Sequence, residues 1–85
     1  MTFRIVIYKD AQKQLLSLPS PARHNIIEAI DSLTLAARPD GCKKLHGVEL
    51  WRLRIGRYRI VYDIDDEARL ITIVKIAKRR EDTYK

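Results

Sequence analysis

Cysteine is almost missing from this chain. Cys42 stands alone among 85 residues, so no internal disulfide can form, and a reducing cytoplasm is the expected home. No set of Cys, His, Asp and Glu has the spacing of metal ligands, and no metal or cofactor is expected. No apolar run approaches the roughly 20 residues of a membrane span. The opening stretch, MTFRIVIYKD, lacks the plan of a secretory signal. Internal repeats, low-complexity tracts and linkers are absent as well. The length leaves room for one domain, residues 1–85, since a second would have no core. A domain this small buries only roughly 60–65% of its unfolded surface. It is marginal alone, and a tight partner can stabilise it.

What is present is a globular core and an excess of positive charge. Hydrophobic residues make up 46% of the chain, too many for a disordered tail. Lys and Arg total 17 against 11 Asp and Glu, a net charge of +6 that points to a polyanionic or acidic partner. The excess is uneven. Arg38, Lys43, Lys44, Arg52, Arg54, Arg57 and Arg59 share one stretch with only Asp40 and Glu49. Lys75, Lys78, Arg79 and Arg80 form a second cluster, and Asp63, Asp65, Asp66 and Glu67 lie between the two. A generically solvated surface mixes the signs more evenly.

The element order reads as β-α-α-β-β-β, an α+β fold. FRIVIY, from Phe3 to Tyr8, is β-branched and aromatic and reads as a strand. KDAQKQLLSL is helical in propensity and ends before Pro19. Ser20 is the expected N-cap of a second helix, with Pro21 at its first position. Ile26, Ile30 and Leu33 then mark one helix face. This helix is expected to stop near Arg38, because Pro39 disfavours it there and Asp40-Gly41 marks a turn. Three strands follow, at Trp51 to Ile55, Tyr58 to Ile64 and Leu70 to Ala77, with Asp65 to Ala68 in the last turn. Two helices on one face of a mostly antiparallel four-stranded sheet would bury the apolar sides of both. A short basic tail closes the chain. Trp51, Tyr8 and Tyr62 are read as core residues, His24 as solvent-facing and Cys42 as a buried or half-buried thiol.

The stretch WRLRIGRYRIVY holds the chemistry. Gly56-Arg57, with glycine first, suits a two-residue type II′ turn. That turn pairs Ile55 with Tyr58, Arg54 with Arg59, Leu53 with Ile60, Arg52 with Val61 and Trp51 with Tyr62. Alternation then puts Trp51, Leu53, Ile55, Tyr58, Ile60 and Tyr62 on the core face, and Arg52, Arg54, Arg59 and Val61 on the other. Arginines directly opposite each other repel, by up to about 1 kcal/mol. A solvated face screens that cost. A phosphate held between the guanidinium groups turns it into charge-assisted hydrogen bonds.

KKLHG (43–47), WRLRIGRYRIVYDI (51–64) and KIAKRREDTY (75–84), together with DAQKQLLSLP, resemble the RelE/ParE superfamily of bacterial toxins, most closely its RelE-like branch. The resemblance covers essentially the whole chain in the right order. It implies a toxin of a type II toxin–antitoxin system and, more finely, a ribosome-dependent endoribonuclease that needs no metal. In such an enzyme a ribose 2′-OH attacks the adjacent phosphorus and leaves a 2′,3′-cyclic phosphate and a 5′-OH. By resemblance, Arg59 contacts the scissile phosphate, Arg79 stabilises its developing charge, and Tyr84 orients the reacting nucleotide or its proton transfer. Arg54 and Arg52 assist catalysis or bind the RNA backbone. Lys43, Lys44, Lys78 and Arg80 are further candidate RNA contacts. One departure is Lys78, where many relatives carry histidine immediately before the arginine matched by Arg79. His46 and Glu49 have acid–base chemistry, though His46 also reads as a turn residue and Glu49 as a surface charge. The implied partners are mRNA on the ribosome and a cognate antitoxin with an acidic wrapping segment, joined to the toxin in a hetero-oligomer. A gyrase poison of the ParE branch, or a decayed toxin that only binds its antitoxin, shares the same fold.

Overall fold

A computed structural model describes residues 2–78. The order of elements is β1 (Arg4–Ile7), α1 (Lys9–Leu16), α2 (Ser20–Ser32), β2 (Lys43–Lys44), β3 (Trp51–Ile55), β4 (Tyr58–Asp65) and β5 (Leu70–Lys78). The strands form one sheet in the order β1-β5-β4-β3-β2, antiparallel except where β1 runs parallel to β5. The expected four strands are therefore five. The addition is β2, in which Lys43 pairs with Arg52 and Lys44 with Trp51. Two lysines carry no β-branched or alternating signal, so their strand is formed by the neighbour they meet.

Both helices lie on one face of the sheet. Ala11 and Leu15 of α1, Ile26 and Ile30 of α2, and Leu33 just beyond it meet Leu53, Ile60, Tyr62, Ile71, Ile73 and Ile76 of the strands. Each fully buried isoleucine among them contributes about 1.5–3 kcal/mol. Trp51, Ile55 and Tyr58 are half-buried against the same cluster. Tyr8 departs from its expected place in the core and is 55% exposed. Strand β1 ends at Ile7, with Ile5 and Ile7 turned inward, and Tyr8 serves instead as the residue before α1. His24 is exposed beside Glu28, and Cys42 is half-buried.

Helix α2 differs from expectation at both ends. Its N-cap is Pro19 and Ser20 is already helical, which puts Pro21 one position further in. It stops at Ser32, well before Arg38. The hydroxyls of Ser32 and Thr34 donate to the carbonyls of Ala29 and Asp31, competing with the helix ladder. The Thr34 carbonyl is taken by the Phe3 N–H at 2.9 Å, so the start of the sheet replaces the next helical turn. The segment that follows is pinned from the core. The buried Tyr62 hydroxyl donates to the Ala37 carbonyl at 2.9 Å. Burial, and then the neighbouring Cys42 thiol, push the Tyr62 pKa well above its ordinary value, so the phenol stays protonated as a donor. Arg38 grips Asp66 with two hydrogen bonds, at 3.2 and 2.9 Å, and lies 4.9 Å from the Trp51 ring centre.

Strand β5 changes phase midway. Tyr62 pairs with Ile73 while Val61 pairs with Lys75, so Val74 is an extra residue in a β-bulge. Before the bulge Ile71 and Ile73 face the core, and after it Ile76 does. On the side of β5 that β1 no longer covers, α1 supplies a partner. The Ile76 N–H donates to Gln14 Oε1 at 2.7 Å.

Candidate nucleic-acid interface

The register of the central hairpin is the expected one, pair for pair: Ile55 with Tyr58, Arg54 with Arg59, Leu53 with Ile60, Arg52 with Val61 and Trp51 with Tyr62. Gly56 has a φ of 59° and Arg57 has no positive φ. That combination is a type II′ turn, since type I′ needs both central residues positive. The turn sets the parity of both strands, and parity puts the arginines on the face without helices.

Reading across the sheet, directly paired residues share a face. Lys43, Arg52, Val61 and Lys75 form one such row over β2, β3, β4 and β5, and Arg54, Arg59 and Ala77 form the next. Five cations thus border two small apolar residues. Arg52, Arg59 and Lys75 also line an open pocket of about 510 Å³ whose walls are Leu45, Leu50, Val61 and Val74. Val61 is only 7% exposed although it faces away from the helices, because these neighbours cover it.

No carboxylate among the described residues lines the pocket. Among the described residues the ion pairs are His24 with Glu28, Arg38 with Asp66 and Lys44 with Glu49. None of them involves Lys43, Arg52, Arg59 or Lys75. The Nε of Arg52 is buried and has no hydrogen-bond partner among the described residues. An unsatisfied buried donor costs about 1–3 kcal/mol. A concave set of guanidinium and ammonium groups over an aliphatic floor fits an anion that carries apolar rings, as a nucleotide does. No group of His, Cys, Asp and Glu among the described residues could hold a metal ion.

The structure brings together Arg52, Arg54, Arg59 and Lys43 of the residues singled out from sequence. Lys44 pairs in register with Trp51, on the helix side, and its ammonium meets Glu49 at 3.1 Å. Lys78 pairs in register with Tyr58 and so also starts from the helix side. Arg79, Arg80 and Tyr84 lie outside the described residues. Lys75, Val74, Leu45 and Leu50 were missed by sequence reasoning. For Lys75 a signal existed, because the core isoleucines fall at 71, 73 and 76, a break in alternation that only a bulge explains.

Comparison with known proteins places this fold and face in a class. The family profile of the ParE toxin of type II toxin–antitoxin systems, parDE, matches residues 5–83. The chain belongs to the RelE/ParE superfamily of type II toxins. It is 36% identical over 89 residues to a protein of Methanocaldococcus jannaschii named as toxin RelE1, covering 100% of this chain and 98% of that one. Among solved structures, the archaeal RelE–RelB complex of Pyrococcus horikoshii OT3 superposes with a TM-score of 0.83 at 33% identity, over 93% of this chain and 97% of that one. The isolated E. coli RelE toxin shares the fold, with a TM-score of 0.82 at 19% identity, over 95% and 88% of the two chains.

Proposed function

We propose that this type II toxin is a ribosome-dependent endoribonuclease that cuts mRNA by 2′-OH attack on the scissile phosphate. The observation that carries the reading is the registered set of Arg52, Arg54 and Arg59 on the helix-free face, joined there by Lys43 and Lys75, with Arg52, Arg59 and Lys75 around one pocket. Arg59 holds the scissile phosphate from the middle of the face. Arg54, directly opposite, and Arg52 stabilise the charge that grows there, as preorganised donors do. Arg79 and Tyr84 complete the site from the tail by family likeness, Arg79 on the developing charge and Tyr84 on the reacting nucleotide. Lys43 reaches the RNA backbone. Lys44, Lys78 and Arg80 are peripheral contacts to RNA. Arginine is effectively always protonated and a poor base. Much of the rate must therefore come from a substrate held in reactive geometry, which the ribosome provides.

The partner that silences the toxin is a cognate antitoxin, in keeping with the RelE–RelB complex of Pyrococcus horikoshii, and the assembly works in the cytoplasm. An extended antitoxin segment with acidic and apolar residues would match the cationic face. No helix of the described residues is long and apolar enough to cross a membrane.

A second reading has its own support, since the matching family profile is that of ParE. In it the same face engages gyrase and cuts no RNA. Primer extension on a defined message, translated and untranslated, run beside a gyrase supercoiling assay, separates the two. Cuts that need translation support the nuclease. Gyrase inhibition with intact message supports the second reading. Inactivity in both assays, from protein that still binds its antitoxin, identifies a decayed toxin.

A further inference from the structure

Lys75 is the cation of this face that strand alternation alone would have put inside. Ile71 and Ile73 point to the core, and a regular strand would send residue 75 after them. The extra residue at Val74 reverses the phase, so that Lys75 pairs with Val61 and emerges into the pocket beside Arg52 and Arg59. It is exposed and has no ion-pair partner among the described residues. Its position relative to Arg59 is diagonal, because Arg59 pairs with Ala77, two residues further along β5. Diagonal neighbours on one face are about 7–8 Å apart, within reach of long side chains. That offset is comparable to the step between successive phosphates of an extended strand. Between the two cations lies Val61, an apolar floor on which a nucleoside can rest.

We propose that Lys75 holds the phosphate adjoining the one gripped by Arg59, so that the pocket takes two consecutive phosphates of a single RNA strand. The proposal rests on the nuclease reading and names how its substrate is positioned. A lysine suits this task, because its ammonium is a point charge that needs no bidentate geometry. The pocket walls at Leu45, Leu50, Val61 and Val74 offer no side-chain donor or acceptor to a base. The grip therefore fixes the register of the backbone and is indifferent to base identity. Lys75 is a positioning residue, and the charge stabilisation at the scissile phosphate stays with the arginines.

The test is single-turnover cleavage on programmed ribosomes of a short message with one neutral methylphosphonate linkage next to the scissile bond, on either side. Wild type, Lys75→Met and Lys75→Arg are compared, with thermal melts to confirm equal folding. For wild type, neutralising one of the two linkages slows cleavage by on the order of tenfold, the lower range for a hydrogen bond to a charged group. Lys75→Met slows cleavage of the unmodified message by a similar factor and loses nothing further on the neutral linkage. Lys75→Arg restores most of the rate. If Lys75→Met and the neutral linkage each cost their full factor together, the lysine and that phosphate do not meet and the proposal falls. It falls equally if neither neutral linkage slows wild type. If wild type leaves the unmodified message uncut, the nuclease reading itself has failed and Lys75 falls with it.

Discussion

Replacing Arg59 should separate activity from stability. Arg59 is half-buried at the centre of the cationic face and directly opposite Arg54. In Arg59→Met the charge goes while most of the side chain's length, and hence its packing over the sheet, remains. Like charges opposite each other on a sheet destabilise by up to about 1 kcal/mol. Arg54 is exposed, and solvent screening leaves a few tenths of a kcal/mol as the repulsion to be relieved. Stability should therefore be unchanged or slightly raised, and any gain should shrink as salt rises. Cleavage should move the other way. Losing one donor aimed at transition-state charge costs about 2.7–4 kcal/mol, or about 10²–10³ in rate. Urea unfolding of the free toxin gives the first quantity, and single-turnover cleavage on programmed ribosomes gives the second. Arg59→Ala should show the same loss of cleavage. A folded Arg59→Met protein that cuts at the wild-type rate would refute the site. Destabilisation by more than about 1 kcal/mol would mean that the guanidinium is part of the scaffold.

Three further outcomes test the scaffold. Tyr62→Phe keeps the ring but strands the Ala37 carbonyl, and should cost about 1–3 kcal/mol, seen as a Tm lower by at least about 4 °C. Gln14→Leu removes the acceptor of the Ile76 N–H and should cost a similar amount, with faster hydrogen exchange at that amide, whereas Gln14→Glu should keep the bond; unchanged exchange in Gln14→Leu would contradict the contact. Asp66 is exposed, and the Arg38 hydrogen bond holds its carboxyl below the ordinary carboxylate value. The stability from that pair is present at neutral pH and lost as pH falls through the lowered Asp66 pKa. The small Tm difference between wild type and Asp66→Asn should thus vanish in acid, and a difference independent of pH would contradict the pairing.

The parts of this protein legible in its sequence are those set by local chemistry. Gly56 specifies the turn, the turn specifies parity, and parity sends Arg52, Arg54 and Arg59 to one face. None of those steps needs a distant residue. The parts that were not legible depend on neighbours. Strand β2 exists because Trp51 and Arg52 offer an edge to Lys43 and Lys44. Helix α2 stops early because the Phe3 N–H claims the Thr34 carbonyl. Lys44 has its charge met by Glu49, a contact made across a loop whose path the sequence does not dictate. Lys75 sits between the two cases. Its unusual place among isoleucines was visible, but only the pairing of β4 with β5 turns that irregularity into a side chain on the outer face.

The bulge in β5 has a genetic consequence. Val74 is half-buried and is the unmatched residue of its ladder, so what it contributes is mainly a count of one. Many side chains could provide that count. Deleting the codon should be tolerated as well, because no other residue of the ladder changes face. The ladder would close into regular alternation after Ile73, with the lysine now at 75 still facing out opposite Val61 and Ile76 still facing the core. Losing a paired neighbour such as Thr72 instead puts Ile73 opposite Asp63 and turns it out to water, at about 1.5–3 kcal/mol of the roughly 5–15 kcal/mol that holds a small domain together. A library covering every substitution and every single deletion from Leu70 to Lys78 should show one position whose deletion is accepted. Codon 74 should accept many amino acids and its own loss, codon 72 should refuse to be lost, and equal intolerance of the two deletions would show that Val74 is not a removable extra residue.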